Sequence, residues 1–378
     1  MTKNNSNIGT SVKGIRLPII KPGNDVAGII NDTLEKLIDN KEIEINDDDV
    51  IGITESLVAR AYNNYVSIDD IANFIKTKYG NDATVGVLWP IYSRNRFSMI
   101  LKGIARGAKH VVIQLQHGKD EVGNDIVNPW TGIDIIKYYR NVVEDEGASC
   151  SIIQSSNVWD IYNVSKGNVI VSTIHSRHEV LKDLYKFISE NNHNGTTSYS
   201  NVITLADIFN VDNGSIGWSE YGLLGSNKCG DEKLKLFPTK KSCKEVCETV
   251  RAFIKGKTLK NIHVMVYGDG CFKDPVGGIW EFADPVSCPY YTGFLLTQSP
   301  NEIKIKYIAD NVTDNPDEIK TLIKDKSNHI NNNKMLAQGT TPRRYCDLLA
   351  SLCDLTSGSG DKGTPVVLVQ NYFKNYAS

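Results

Sequence analysis

No apolar run in this chain approaches the ~20 residues needed to span a bilayer. The opening Met1 to Lys13 is polar and lacks the apolar stretch of a secretory leader, so a short disordered lead-in over residues 1–13 is expected. An excess of charge of one sign is missing too. A formal net charge of −2 leaves no electrostatic case for nucleic acid or an anionic membrane as partner. The eight cysteines include no C-x-x-C pair. Cys243 and Cys247 stand four apart, and Cys346 and Cys353 seven apart, spacings that place each pair on one helix face as small core residues rather than in a zinc site. Reduced thiols and a cytoplasmic location are therefore expected. The strand–helix–strand units of residues 84–210 lack G-x-G-x-x-G, so a dinucleotide site there is unsupported, and no Ser-His-Asp or Cys-His constellation can be read from spacing alone.

What is present is enough chain for two or three domains. Residues 14–83 and 211–378 share one style. Strands are expected at Gly14–Ile20, Asp49–Thr54, Ile262–Tyr267, Ile303–Asp310 and Pro365–Val369, and helices at Asp25–Leu37, Ser242–Lys255, Asn315–Lys324 and Pro342–Cys353. Ser67 with Asp69 and Asp70 reads as a helix start. Residues 84–210 alternate instead: strands at Ala83–Trp89, Lys109–Leu115, Ser149–Gln154, Asn168–Thr173 and Asn201–Leu205, with helices at Ser93–Gly107, Gly132–Glu146 and Ser176–Glu190 between them. That alternation predicts a small inserted three-layer α/β domain with largely parallel pairing.

The most informative motif is Gly268-Asp269-Gly270-Cys271-Phe272-Lys273-Asp274-Pro275, directly after the buried strand Ile262–Tyr267. A carboxylate between two glycines at a strand's C-terminal lip is suited to holding Mg²⁺ against phosphate oxygens, since that ion favours few carboxylates plus phosphates and waters. A turn aspartate capping the next element is the plainer reading. The Gly/Ser-rich stretch Thr356–Thr364 offers closely spaced N–H groups for an anion, or is a plain loop; its spacing is not that of a Walker motif. His117 with Asp120 lies past a strand end of the inserted region and is a secondary candidate site. His175 and His178, three apart on a first helical turn, could share a metal, but Arg177 between them opposes a cation and a solvated helix start is the plainer reading. Arg94 and Arg96 at a helix start oppose the dipole unless an anion binds nearby.

Five segments in order resemble the coenzyme F-420 γ-glutamyl ligase family. Gly14-Ile15-Arg16-Leu17-Pro18-Ile19-Ile20 with Gly23-Asn24-Asp25 is similar to its G-L-P-x-I-x-x-G-D. Asp49 to Ala61 is similar to its second strand, D-V-L-V-V-x-S-x-x-x-S-K-A. Gly222-Leu223-Leu224-Gly225-Ser226-Asn227 with Leu234 to Pro238 resembles G-I-D-x-S-N followed by L-L-L-P. Val266 to Phe272 resembles the metal-binding T-D-T-N-G-R-x-F, and Gly358 to Val367 resembles G-E-G-x-D-G-x-P-A-V. The resemblance covers roughly 14–83 and 211–370; residues 84–210 have no clear counterpart.

The resemblance implies an α+β fold with mixed sheets, an inserted α/β three-layer domain, and a homodimer. It implies a ligase that uses GTP, or ATP, with Mg²⁺ or Mn²⁺ to add L-glutamate to a small acid acceptor. Asp269, with Gly270 and Asp274, and with Glu281 as a further candidate, would hold metal. Asp269 and Arg60 would serve the reaction. Leu17, Pro18, Ile19, Ile20, Glu55, Arg60, Asn227, Gly358, Ser359, Gly360, Asp361 and Gly363 would contact the nucleotide. Two departures matter. The family's first metal carboxylate falls on Leu224, or on Asp125 of the inserted region, and its serine after the second strand falls on Glu55. A non-catalytic or repurposed relative that binds a nucleotide or small anion is the alternative these departures support. A third reading places the chemistry in the inserted region, around His117, Asp120 and His175.

Overall fold

The computed structural model describes residues 8–191, 199–214, 217–269, 286–299, 303–325, 344–357 and 360–378. In chain order its elements are β1 (Ser11–Ile15), α1 (Val26–Asp39), β2 (Val50–Thr54), α2 (Glu55–Ala61), β3 (Tyr65–Ser67), α3 (Ile68–Tyr79), β4 (Thr84–Leu88), α4 (Arg96–Gly107), β5 (His110–Leu115), α5 (Ile135–Asp145), β6 (Ser149–Gln154), α6 (Val158–Val164), β7 (Val169–Val171), α7 (Arg177–Asn191), β8 (Val202–Thr204), β9 (Ser226–Lys228), β10 (Lys233–Leu236), α8 (Lys240–Thr258), β11 (His263–Asp269), β12 (Val286–Tyr291), α9 (Ile305–Asn311), α10 (Pro316–Lys324), α11 (Tyr345–Ser357) and β13 (Val366–Gln370). Two compact units result: residues 1–62 with 240–378, and residues 63–239. The sequence placed the inner boundaries at 84 and 210; the second unit also takes in β3, α3, β9 and β10. No described helix is long and apolar enough to cross a membrane.

The first unit is built on a five-stranded sheet of order β1-β13-β2-β11-β12. β2 and β11 run parallel, and the other pairings are antiparallel. Strand alternation sends Ile51, Ile53, Val264 and Val266 to one face, against Ile30 and Leu34 of α1 and Cys247 and Val250 of α8. Val50, Met265, Tyr267 and Val367 face the other way, against Cys346, Leu349 and Cys353 of α11. Both faces are covered, so β2 reads as an unbroken apolar run. Burying Ile51 and Ile53 contributes about 2 kcal/mol each before chain entropy is counted. Gly52 makes the second face possible: a Cβ there would lie 2.5 Å from Cys353 Sγ.

The second unit holds a five-stranded sheet of order β6-β5-β4-β7-β8 in which every pairing is parallel. Helices α3, α4 and α5 cover one face and α6 with α7 the other. α3 begins with a full capping box, Ser67 and Asp70 satisfying each other's backbone N–H. A short sheet, β3-β10-β9, completes the unit.

Two expected elements differ. Ile303–Asp310 was expected as a strand, but Ile305–Asn311 is the helix α9. Its Ile-Lys-Ile-Lys start alternates like a strand, yet Ile308 is the residue that is buried, packed with Ile319 and Ile323 of α10. The first strand runs Ser11–Ile15 rather than Gly14–Ile20, so residues 11–13 belong to it and not to the expected disordered lead-in. Pro18 has no N–H to continue a ladder, and the chain turns out of the sheet before it.

Candidate functional site

Chain direction decides what meets at one end of the first unit's sheet. The C-terminal ends of β1, β2 and β11 and the N-terminal ends of β13 and β12 lie together, because Ile15 pairs with Val366, Val366 with Ile53, Tyr267 with Thr54, and Asp269 with Val286. Four separately read segments therefore converge: 17–20, 54–60, 268–269 and 360–365. Backbone hydrogen bonds stitch them, Leu17 N to Gly363 O at 3.3 Å and Thr54 N to Pro365 O at 3.0 Å.

Glu55 opens α2 at this end, where a carboxylate complements the positive end of the helix. It is buried, at 4% exposure. Thr54 Oγ1 donates to its Oε2 at 2.9 Å and Ser56 Oγ to its Oε1 at 3.0 Å. Its stem lies against Gly268: a Cβ on that glycine would meet Glu55 Cγ at 2.5 Å and Cδ at 2.7 Å. The first glycine of the G-D-G motif thus makes room for a carboxylate delivered by the neighbouring parallel strand. The spacing of the motif alone carries no signal of that packing.

Arg60, near the end of α2, is exposed and donates from Nε to the carbonyl of Ile20. This ties the guanidinium to the Leu17–Ile20 segment, within which Ile19 is 83% exposed while Ile20 is buried. Gly23 N donates to Ala61 O at 2.8 Å and holds the same segment from its other side. Of the Gly/Ser-rich stretch, Ser357 belongs to α11, Gly360–Lys362 form a short 3₁₀ turn, and Gly363 follows with φ +64°. Asp361 and Gly363 are exposed. Asp269 ends β11. Gly270, Asp274, Glu281, Gly358 and Ser359 lie outside the described residues.

The other expected site residues belong to the second unit. Asn227 lies on β9 of the second unit, paired with Lys235. Leu224 sits in a 3₁₀ turn and packs against that unit's core, and its carbonyl accepts from Arg96 Nη2 at 2.5 Å. Arg96 is thus satisfied by turn carbonyls, which explains a cation at the start of α4 without a bound anion. Asp125 is exposed and pairs with Lys119 at 2.7 Å. Asp120 is buried and ties its own loop to the segment after β4, accepting from the backbone N–H groups of Val122 and Asn124 and from that of Tyr92. Glu121, which the sequence reading did not single out, accepts from the N–H groups of Ile174, His175 and Ser176 ahead of α7. Burial holds the His175 imidazole below its ordinary value, with Glu121 opposing that shift. His117 and His178 are exposed. Among the described residues no cluster of three or more His, Cys, Asp or Glu is placed to hold a metal.

Residues 14–371 match the family model of F420-0:gamma-glutamyl ligases. No curated protein matches the chain. Among solved structures, a chain of the tetrameric eIF2B-beta2-delta2 complex from C. thermophilum is 15% identical, over 43% of this chain and 51% of that one, with a TM-score of 0.25. The match spans about half that chain's length.

Proposed function

The chain belongs to the F420-0:gamma-glutamyl ligase family, and from that premise we propose that it is a nucleotide- and metal-dependent ligase joining L-glutamate to a small acid acceptor at the end of the first unit's sheet. The observation that carries the reading is the convergence of residues 17–20, 54–60, 268–269 and 360–365 at one sheet end. In this reading an acceptor carboxylate oxygen bonds to the terminal phosphorus of GTP or ATP, the bond from that phosphorus to the β-phosphate oxygen breaks, and GDP or ADP leaves, giving an acyl phosphate. The glutamate amine then attacks the acyl carbon, the C–N bond forms, phosphate leaves, and the amine proton passes to solvent. The protein's share is positioning and electrostatic stabilisation. Arg60 faces phosphate with a planar fork. N–H groups of the 360–363 turn supply neutral donors.

A divalent cation, when bound, neutralises charge on the phosphate oxygens. Glu55 and Asp269 would hold it. The buried carboxylate seated on Gly268 fits a hard cation, and it supplies a negative charge where the family pattern has serine. That offsets the apolar Leu224 at the family's first metal position. The second reading, a repurposed relative that binds a nucleotide without turnover, is favoured by Leu224, which is committed to core packing.

Calorimetric titration with GTP and with ATP, each with and without Mn²⁺, separates these readings. Metal-dependent binding lost in Asp269→Asn and weakened about tenfold or more in Glu55→Gln is expected. Metal-independent binding unaffected by both variants would favour the repurposed relative. Absence of binding would overturn both.

A further inference from the structure

The second unit contains a cavity of about 470 Å³ between α3 and the segment that follows β8. Its volume falls within the ~300–1,000 Å³ typical of small-ligand sites. Asp70, Asn73, Phe74 and Thr77 line it from α3, at the i, i+3, i+4, i+7 positions of one helix face. Asp207, Phe209 and Trp218 line it from the other side. The Phe74 and Phe209 rings lie 5.7 Å apart, tilted by 56°. Phe209 occupies φ 62°, a left-handed conformation that L side chains rarely adopt. Such strain persists where the surroundings impose it, and it concentrates at ligand clamps.

Charge in this cavity has one sign. Among the described residues the lining includes two carboxylates, both exposed at its rim, and no Lys, Arg or His. Asp70 Oδ2 accepts from Ser67 N and Ser67 Oγ, both at 2.7 Å. Asp207 Oδ2 accepts from Thr204 N at 2.7 Å and Thr204 Oγ1 at 2.8 Å. Each carboxylate is fixed through that oxygen. Neither has a Lys or Arg ion-pair partner among the described residues; Arg106 pairs with Asp69, Glu146 and Glu232 instead.

We propose that this cavity binds a small organic ammonium cation. Phe74 and Phe209, partly buried against the core, and Trp218 put aromatic surface in the lining, which attracts a cation through the ring quadrupoles, and Asp70 and Asp207 supply the opposite charge. The site is independent of the ligase reading, whose residues lie in the first unit.

The test is calorimetric titration of the full-length protein with choline and with putrescine. Each is compared with its neutral counterpart: the tert-butyl analogue of choline and the diol matching putrescine. Saturable binding of at least one cation is expected, with its neutral counterpart about tenfold weaker or more. Asp70→Asn and Asp207→Asn keep an oxygen acceptor for each cap, so thermal unfolding shifts little while cation binding weakens about tenfold. Phe74→Leu leaves both caps untouched and is expected to weaken the cation more than the neutral analogue. Failure of both cations to bind, equal binding of the neutral compounds, or undiminished binding in the Asp70→Asn/Asp207→Asn double variant would overturn the proposal.

Discussion

At the residue scale, Gly268 and Glu55 are matched to one another. The glycine is required by the glutamate, since any Cβ would press into the Glu55 stem at 2.5 Å. Gly268→Ala is expected to displace the carboxylate and weaken metal-dependent nucleotide binding about tenfold, with the fold retained by far-UV circular dichroism. Undiminished binding would show that the position of Glu55 is immaterial. Asp49, at the opposite end of β2, reports on burial. Desolvation holds its carboxyl above the ordinary value, opposed by donors from Asn46 and Gln370. The folded state therefore binds this proton more tightly than the unfolded chain. The stability contribution of Asp49 declines as pH rises from the ordinary carboxyl value through the raised one. Urea unfolding of the protein and of Asp49→Asn checks the sign: the difference, protein minus variant, should fall across that window and then level off. A rising difference would contradict it.

At the scale of elements, Gly52 lets α11 seat on the sheet. Gly52→Ala is expected to destabilise the first unit by about 1–3 kcal/mol through overpacking against Cys353, read as a lower urea midpoint. Most long elements were legible from pattern. The apolar runs of β2, β4, β5, β11 and β13 and the periodicity of α1, α4, α8 and α10 each point to one answer. α9 did not, because its short isoleucine run fits both periods and only the tertiary partner Ile319 decides between them. β3, β9 and β10 are short. They become strands by pairing with one another, a long-range choice that local propensity does not carry. The Glu55–Gly268 contact was hidden for a similar reason. The two residues are far apart in sequence and become neighbours only through the parallel register of β2 and β11.

At the scale of the whole molecule, a discontinuous unit and a contiguous one share the chain. The contiguous unit has cores on both faces of its own parallel sheet. Residues 63–239 produced alone are expected to unfold in one cooperative urea transition; a fragment without a transition would show that this core depends on the rest of the chain. Family membership was legible from the ordered motifs at both ends of the sequence, and the family match runs over residues 14–371, nearly the whole chain. The aromatic cavity was not legible, because Phe74 and Phe209 are joined only by the return of the chain after β8.

The central claim, that the nucleotide binds at the end of the first unit's sheet, is tested most directly by hydrogen exchange of the full-length protein with and without GTP and Mn²⁺. Concerted protection over residues 17–23, 54–61 and 360–365 is the predicted result. Saturating nucleotide that leaves these three segments unprotected, or that protects only residues within 63–239, would contradict it.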